Sequence, residues 1–311
     1  MFKGWVFLMA LFLGFSVSPT LAGYYQMKTQ TIQEKPAIVI TAFGTSTKAQ
    51  VTFDFFEKQL RRELPGYEIR WAFTSEIIRE KMNRLYKKKG INKRLLSLKE
   101  ALAQLEAEGY RRVVVQPLHI FPGLEYENVV EICERFPGLR IVVGEPLFYR
   151  WEYIHEVLEV VSKYFYAPEE GYNILIAHGT DVTSNGANIT YLGLQWLLDE
   201  DYGNVGLGTM EGIPTGEAIL RRAIKYPQKK VRLIPFMYVA GDHVMNDVMG
   251  EDLGEGEKSW RQILEGAGKE IDIVTTEIDG QTFYRGLGLY PEVNEIFIRG
   301  IKRMLKIIEL Y

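Results

Sequence analysis

"NILIAHGTDV" (173–182) is an apolar run that stops on a histidine and a glycine, and "AIVITAFGTST" (37–47) is nearly the same run met earlier in the chain. "AFGT" (42–45) falls on "AHGT" (177–180) at an offset of 135 residues. At that offset "AFTSE" (72–76) also falls on "LGTME" (207–211), and "LFYR" (147–150) on "TFYR" (282–285). "QPLHIFPGLEYEN" (116–128) falls on "IPFMYVAGDHVMN" (234–246) at an offset of 118. Each match is short, but four in the same order describe a duplicated unit. The change of offset puts an extra segment in the first copy, around "KKKGINKR" (87–94). A compensating one lies in the second, around "GEDLGEGEKSW" (250–260).

Within each copy, short Val/Ile-rich runs alternate with helical periods. The runs 37–42, 112–117, 139–143, 173–177, 231–236 and 271–275 read as buried strands. Phe53, Phe56, Leu60 and Leu64 make one helical stripe, and Leu95, Leu98, Leu102 and Leu105 a second. Val293, Phe297, Ile301, Met304 and Ile308 mark the last helix. "ELPGYEI" (63–69) is a helix stop followed by a strand. This alternation predicts an α/β protein with two similar doubly wound parallel-sheet domains and a cleft between them. The expected boundaries are an N-terminal half over 36–150, a connecting helix over 151–171, and a C-terminal half over 172–311 that includes the C-terminal helix. Ligands of such sheets bind beyond the carboxyl ends of the strands, where the repeated motifs fall.

The totals narrow the partners. A hydrophobic share of 47% and a charged share of 25% are those of a globular chain, and a net charge of −3 leaves no electrostatic footprint for nucleic acid. "KKKGINKR" reads as a solvated loop. The first 22 residues stand apart: Lys3, then the apolar "WVFLMALFLGFSV" (5–17), then "PTLA" ending on Ala22. This pattern is expected to be a secretory signal peptide cleaved after Ala22, with an uncleaved anchor as the alternative. No later segment is long and apolar enough to span a bilayer. The mature protein is therefore expected to be exported, periplasmic and without a membrane span. Cys133, in "ENVVEICERF" (127–136), is the one cysteine, so no intrachain disulfide can form.

Duplication provides an internal control, because positions where one copy departs toward reactive side chains are candidates for chemistry. Phe43 becomes His178, and Glu125 becomes His243 in "AGDHVMND" (240–247). Glu76 and Glu211 are both acidic, but only Glu211 shares its half with two histidines. In a doubly wound half all three would lie at strand ends or in the loops that follow, on one edge of the sheet. Two imidazoles and a carboxylate suit Co²⁺, Ni²⁺, Fe²⁺ or Zn²⁺. Three protein ligands leave positions open for exchange. The competing reading of His178 is a structural histidine. His119, in "QPLHIFPG" (116–123), has three open readings: it lines the cleft, ligates a haem-like ring, or satisfies a backbone group. His155, in "WEYIHEVLEVV" (151–161), reads as structural. The glycine turns lack both GxGxxG and GxxxxGK[ST], so nucleotide binding is not expected.

The segments "AIVITAFGTS" (37–46), "RWAFTSEII" (70–78), "VVVQPLHIFPGLEYENV" (113–129), "ILIAHGT" (174–180) and "MYVAGDHVMNDVMGED" (237–252) carry a resemblance. From about residue 36 to the C terminus the chain resembles the anaerobic-pathway sirohydrochlorin cobaltochelatases (CbiK type), class II chelatases related to ferrochelatase. The resemblance implies two similar α/β halves with an active-site cleft between them. It implies insertion of Co²⁺ into the tetrapyrrole sirohydrochlorin in cobalamin biosynthesis; the donor set also suits Fe²⁺ or Ni²⁺, and the haem reading of His119 stays open. The catalytic and metal-binding set carries over onto His178 of "AHGT", Glu211 of "GTMEG" (208–212) and His243 of "AGDHVMND". A polycarboxylate ring would call for basic rim residues, for which Arg70, Arg79 and Lys87–Lys89 are candidates. The export signal departs from the generally cytoplasmic cobalamin-making members. It leaves a rival reading, an exported metal- or haem-binding carrier on the same scaffold. A homo-oligomer is compatible with either.

Overall fold

β-Branched runs that bury both their faces belong in parallel sheets covered on both sides, and the chain builds two. The computed structural model describes residues 31–182, 186–254 and 256–310; the expected signal peptide, 1–22, lies outside the described residues. The first sheet contains β1 (Ala37–Ala42), β2 (Ile69–Phe73), β3 (Arg112–Pro117) and β4 (Arg140–Val143), all parallel, in the order β2-β1-β3-β4. Its helices are α1 (Val51–Glu63), α2 (Glu76–Lys88), α3 (Leu98–Ala107) and α4 (Leu124–Glu134), and α5 (Trp151–Val161) follows. The second sheet contains β5 (Gly171–Gly179), β6 (Val205–Glu211), β7 (Lys230–Pro235) and β8 (Glu270–Ile273), parallel in the order β6-β5-β7-β8. Its helices are α6 (Gly186–Asp201), α7 (Gly216–Lys225) and α8 (Trp260–Gly266). A hairpin of β9 (Thr275–Ile278) and β10 (Gln281–Tyr284) and a last helix, α9 (Pro291–Leu310), complete the chain. The duplication read from the motifs is thus a duplication of strand order. The extra segment of the first copy is also visible: α2 and α3 stand between β2 and β3, where the second copy has α7 alone.

The period-2 alternation of the strands sorts their side chains into layers. Ile38, Ile40 and Ala42 of β1 share one apolar core with Leu175 and Ala177 of β5, and that core includes residues of α1, α5, α6 and α9. Ala37 and Val39 point the other way, into a separate core with Leu98, Leu102 and Leu105 of α3 and with Val129 and Cys133 of α4. On the far face of the second sheet, Ile174 and Ile176 pack with Ile219 and Ala223 of α7 and Trp260 and Leu264 of α8. The two sheets therefore enclose a common layer of helices, and each has its own outer layer.

Three details depart from the sequence reading. The sequence reading groups the last helix with the C-terminal half, yet it packs on β3 and β4 of the first sheet and against α1. A helical period reveals which face is apolar but not which partner covers it. Second, the repeat aligns Glu76 with Glu211, but the sheets do not. Ala42 pairs with Phe73, whereas its counterpart Ala177 pairs with Thr209. The strand-end counterpart of Glu211 is therefore Ser75, and in a strand a one-residue slip changes the face. Ser75 is used as the N-cap of α2, its hydroxyl accepting from the Ile78 amide. Third, the run 271–275 breaks into β8 and the start of a hairpin that turns on Asp279 and Gly280, both at positive φ (50° and 75°), the conformation a two-residue turn requires.

Candidate metal centre

The second half's central strand is carried to an abrupt end. Gly179 has φ +78°, and a Cβ built on it would lie 1.7 Å from the Glu211 carbonyl oxygen. Only glycine lets the ends of β5 and β6 run this close, in the register that pairs Gly179 with Glu211. The turn beyond is tied down by Asn188 of α6, whose side-chain amide donates to the Thr180 carbonyl at 3.0 Å. Tyr191, fully buried on the same helix, hydrogen-bonds the Gly179 backbone through its hydroxyl, and burial raises its pKa above the usual phenol value. His178 is thus held on the last extended residue before a fixed turn, with its side chain exposed.

His243 arrives from β7. It stands at the start of a π-helical turn, Val244–Val248, in which the Met249 amide reaches the Val244 carbonyl at 3.1 Å. Such turns concentrate at functional sites. The His178 and His243 rings lie with centroids 4.9 Å apart and planes at 82°. Nδ1 of His178 faces the Gly179 carbonyl oxygen at 3.0 Å, and Nδ1 of His243 faces an Asp247 carboxylate oxygen at 2.6 Å. Both oxygens can only accept, so each neutral ring carries its proton on Nδ1 and keeps the Nε2 lone pair free. A carboxylate behind an imidazole is the arrangement that orients metal ligands and raises their basicity. Sequence reasoning passed over Asp247. The signal was available, since His243 and Asp247 are four residues apart on a helical turn.

Glu211 stands exposed at the adjoining strand end. Its carboxylate does not complete a cluster: among the described residues, no three His, Cys, Asp or Glu side chains lie close enough together to hold a metal ion. The structure thus brings the two imidazoles together and leaves the carboxylate beside them. Across from this pair, a Cβ built on Gly241 would lie 3.1 Å from the Thr45 hydroxyl oxygen, so the loop after β1 runs directly against the loop that carries His243. Phe43, at the start of that first loop, is 52% exposed.

His119 lies just past β3 and is mostly enclosed. Neither ring nitrogen has a hydrogen-bond partner, and burial pushes its pKa down to about 4. Of its three readings, satisfaction of a backbone group is the one the geometry removes. His155 lies exposed on α5. Two of the proposed rim residues are already engaged. Arg70 pairs with Glu68 and Glu108, and the Glu108 hydrogen bond raises its pKa. Arg79 donates to the carbonyls of Phe73 and Thr74 at 2.5 and 2.8 Å. Lys87–Lys89 remain exposed at the end of α2. Cys133 is a buried thiol with its pKa pushed up to about 12 by desolvation, which leaves it unreactive. A pocket of about 130 Å³ between α1, β2 and Lys93–Leu95 contains neither histidine of the pair and is far too small for a macrocycle.

The fold is that of two duplicated parallel-sheet α/β halves, with the imidazoles of His178 and His243 brought together at one strand-end edge. The sequence model of the cobalt chelatase (CbiK) family matches residues 36–306, and the chain belongs to that family. It is 31% identical over 242 residues to the sirohydrochlorin cobaltochelatase CbiKC of Nitratidesulfovibrio vulgaris (strain Hildenborough), covering 75% of this chain and 81% of that one. It is 26% identical over 276 residues to the sirohydrochlorin cobaltochelatase of Salmonella typhimurium (strain LT2), covering 87% and 97%. In fold it is similar to SirB from Bacillus subtilis with Fe3+, with a TM-score of 0.59 at 16% identity over 87% of this chain and 96% of that one. No described helix is long and apolar enough to cross a membrane.

Proposed function

We propose that the protein is a sirohydrochlorin cobaltochelatase, taking Co²⁺ and the metal-free ring to the cobalt-bearing ring with release of two protons. The observation that carries this reading is the His178–His243 pair, with both Nδ1 atoms engaged and both Nε2 atoms free. Membership of the cobalt chelatase family and two relatives named as sirohydrochlorin cobaltochelatases support it. Nε2 of His178 and of His243 receives the incoming ion, and a rotation of its exposed side chain brings Glu211 in as the third ligand. Three protein ligands leave positions on the ion for water and then for the ring nitrogens. As each pyrrole nitrogen bonds to the metal it loses its proton. An imidazole released by the departing ion has its Nε2 lone pair free and can accept that proton. Asp247 holds His243 in the orientation that does this.

Catalysis separates this reading from that of a carrier. Supplied with excess Co²⁺ and sirohydrochlorin, the protein is expected to form many equivalents of product, read from the change in the ring's absorption spectrum. His178→Ala and His243→Ala are expected to abolish turnover with an unchanged circular dichroism spectrum. One equivalent of bound metal or ring and no turnover would establish the carrier. Parallel assays with Fe²⁺ and Ni²⁺ rank the metals. Export to the periplasm belongs to the same proposal and is tested by the N terminus of protein from its native source, where Gly23 is expected.

A further inference from the structure

α6 is apolar on both its faces. Its inner face gives Tyr191, Leu194 and Leu198 to the common core. Its outer face should be polar, as on any helix that borders water. Instead Ile189, Leu192 and Trp196 stand there at helical spacing, 68%, 42% and 63% exposed. The first charged residue of the helix is Asp199. Trp151 of α5, 53% exposed, widens the stripe. A Cβ built on Gly193 would lie 2.9 Å from its indole, so the glycine seats that ring across α6. Isolated exposed apolar residues need no explanation. Two indoles and two aliphatic chains on one surface are different: they make an apolar patch of roughly 300–400 Å², the size that marks an interaction site on a monomer.

We infer that this patch is the centre of a two-fold interface with a second copy of the chain, in which two α6 helices pack antiparallel. The stripe is symmetric about its middle: Ile189 lies three residues before Leu192, and Trp196 three residues after Gly193. A two-fold axis between Leu192 and Gly193 sets Ile189 of each copy against Trp196 of the other, the reciprocal contact that such an axis requires. Charge selects the same arrangement. Acids suit a helix N terminus and bases its C terminus. α6 has no acid in its first turn and no base in its last, and it ends on Asp199, Glu200 and Asp201. Arg222 meets Asp199, but Glu200 and Asp201 are exposed and form no ion pair among the described residues. Gly186 lies six residues before Leu192, and Asp199 six residues after Gly193. The axis therefore lays the positive end of each helix over the acids of the other. Size agrees as well. A standard interface takes about 800 Å² from each partner, and the patch supplies its apolar centre. The same acids would repel an anionic lipid surface. The interface stands on the back of the helix whose Asn188 and Tyr191 hold the turn after His178.

Sedimentation velocity on the protein as isolated from its native source tests the pairing, and a species of twice the chain mass is expected at micromolar concentration. Trp196→Glu places a charge where the side chain is already exposed, so the circular dichroism spectrum is expected to stay unchanged. The dimer Kd is expected to rise by at least about 30-fold, the effect of one lost hot-spot side chain. Glu200→Lys tests the direction of pairing. Lysine suits the C terminus of its own helix, so weaker association in this variant cannot come from a lost helix, and a rise of a few-fold in Kd is expected. Vesicles of phosphatidylcholine, with and without phosphatidylglycerol, test for a lipid surface. A monomer throughout the concentration range, or one that binds either vesicle through Trp196, overturns the inference. A dimer whose Kd does not move in Trp196→Glu overturns it too. So does a dimer that Trp196→Glu weakens but Glu200→Lys leaves unmoved or tightens, because the helices are then not antiparallel.

Discussion

The two halves carry the same four strands in the same order and place different chemistry at the strand ends. In the second half, β5 leads to His178 and the loop after β7 brings His243, and the two rings come within 4.9 Å. The corresponding positions in the first half are Phe43 and Glu125. Where the second half ends β6 on Glu211, the first half has Ser75 and spends it on capping a helix. Where the second half has Met237, the first has the enclosed imidazole of His119. Strand order and the buried strand interiors survive in both copies because the common core needs them in both. The strand ends carry no such burden, so the copies are free to differ there, and it is there that the second copy alone brings two imidazoles together.

That comparison supposes halves that are chemically distinct but mechanically one. Phe56 tests the second part. It is fully buried on α1 and packs edge-on against Trp71 of its own half, Tyr238 of the other half and Phe297 of α9, with centroids 6.2, 6.5 and 6.4 Å away. Phe56→Ala is expected to cost about 3–5 kcal/mol and to lower one cooperative unfolding transition in urea. Two separated transitions, with the second unmoved, would mean that the halves fold apart.

A smaller effect is expected from His119. Its pKa is held at about 4 in the folded state against an ordinary value of 6.5. Between these values the unfolded chain binds a proton that the folded chain does not. Stability is therefore full above pH 6.5 and falls as the pH drops toward 4, by about 3 kcal/mol at the bottom of that window. His119→Met, which installs the residue of the second half, is expected to flatten this part of the profile when urea midpoints are measured against pH. Equal slopes for the two proteins would show that the imidazole is not enclosed in solution.

Smaller again is the effect of the carboxylate behind His243. Asp247→Asn keeps the shape and removes the charge, and Co²⁺ affinity is expected to fall by roughly 10- to 100-fold. Glu125→Gln, at the position that corresponds to His243 in the first half, is expected to leave it unchanged. Calorimetric titration of both variants makes the comparison, and a larger loss in Glu125→Gln would move the metal to the wrong side of the molecule.

Much of this architecture is legible in the sequence. The runs 37–42 and 112–117 coincide with β1 and β3 because strands buried on both faces have little choice of residue. His178 and His243 stand out in the sequence as departures within a repeat, and their rings lie 4.9 Å apart. What failed to show was long-range or one residue fine. The partner of α9 depends on packing across the whole chain. The slip that pairs Ala177 with Thr209 while Ala42 pairs with Phe73 leaves no trace in an ungapped motif match. The sequence reading lacks the β9–β10 hairpin, although Asp279-Gly280 is a strong turn signal, because its two strands are four residues each and bury only Phe283. Arg70 reads as a free rim residue in the sequence because one of its two partners, Glu108, lies 38 positions away.

Where cobalt binds decides between the halves most directly. Crystals of the protein soaked with Co²⁺ and measured on both sides of the cobalt absorption edge would give an anomalous difference map. The expected result is one dominant peak about 2 Å from Nε2 of both His178 and His243, the ordinary metal–imidazole distance, with the Glu211 carboxylate drawn in as third ligand. A dominant peak in the first half, at His119 or Glu125, with neither His178 nor His243 bound, would contradict the assignment of the metal to the second copy.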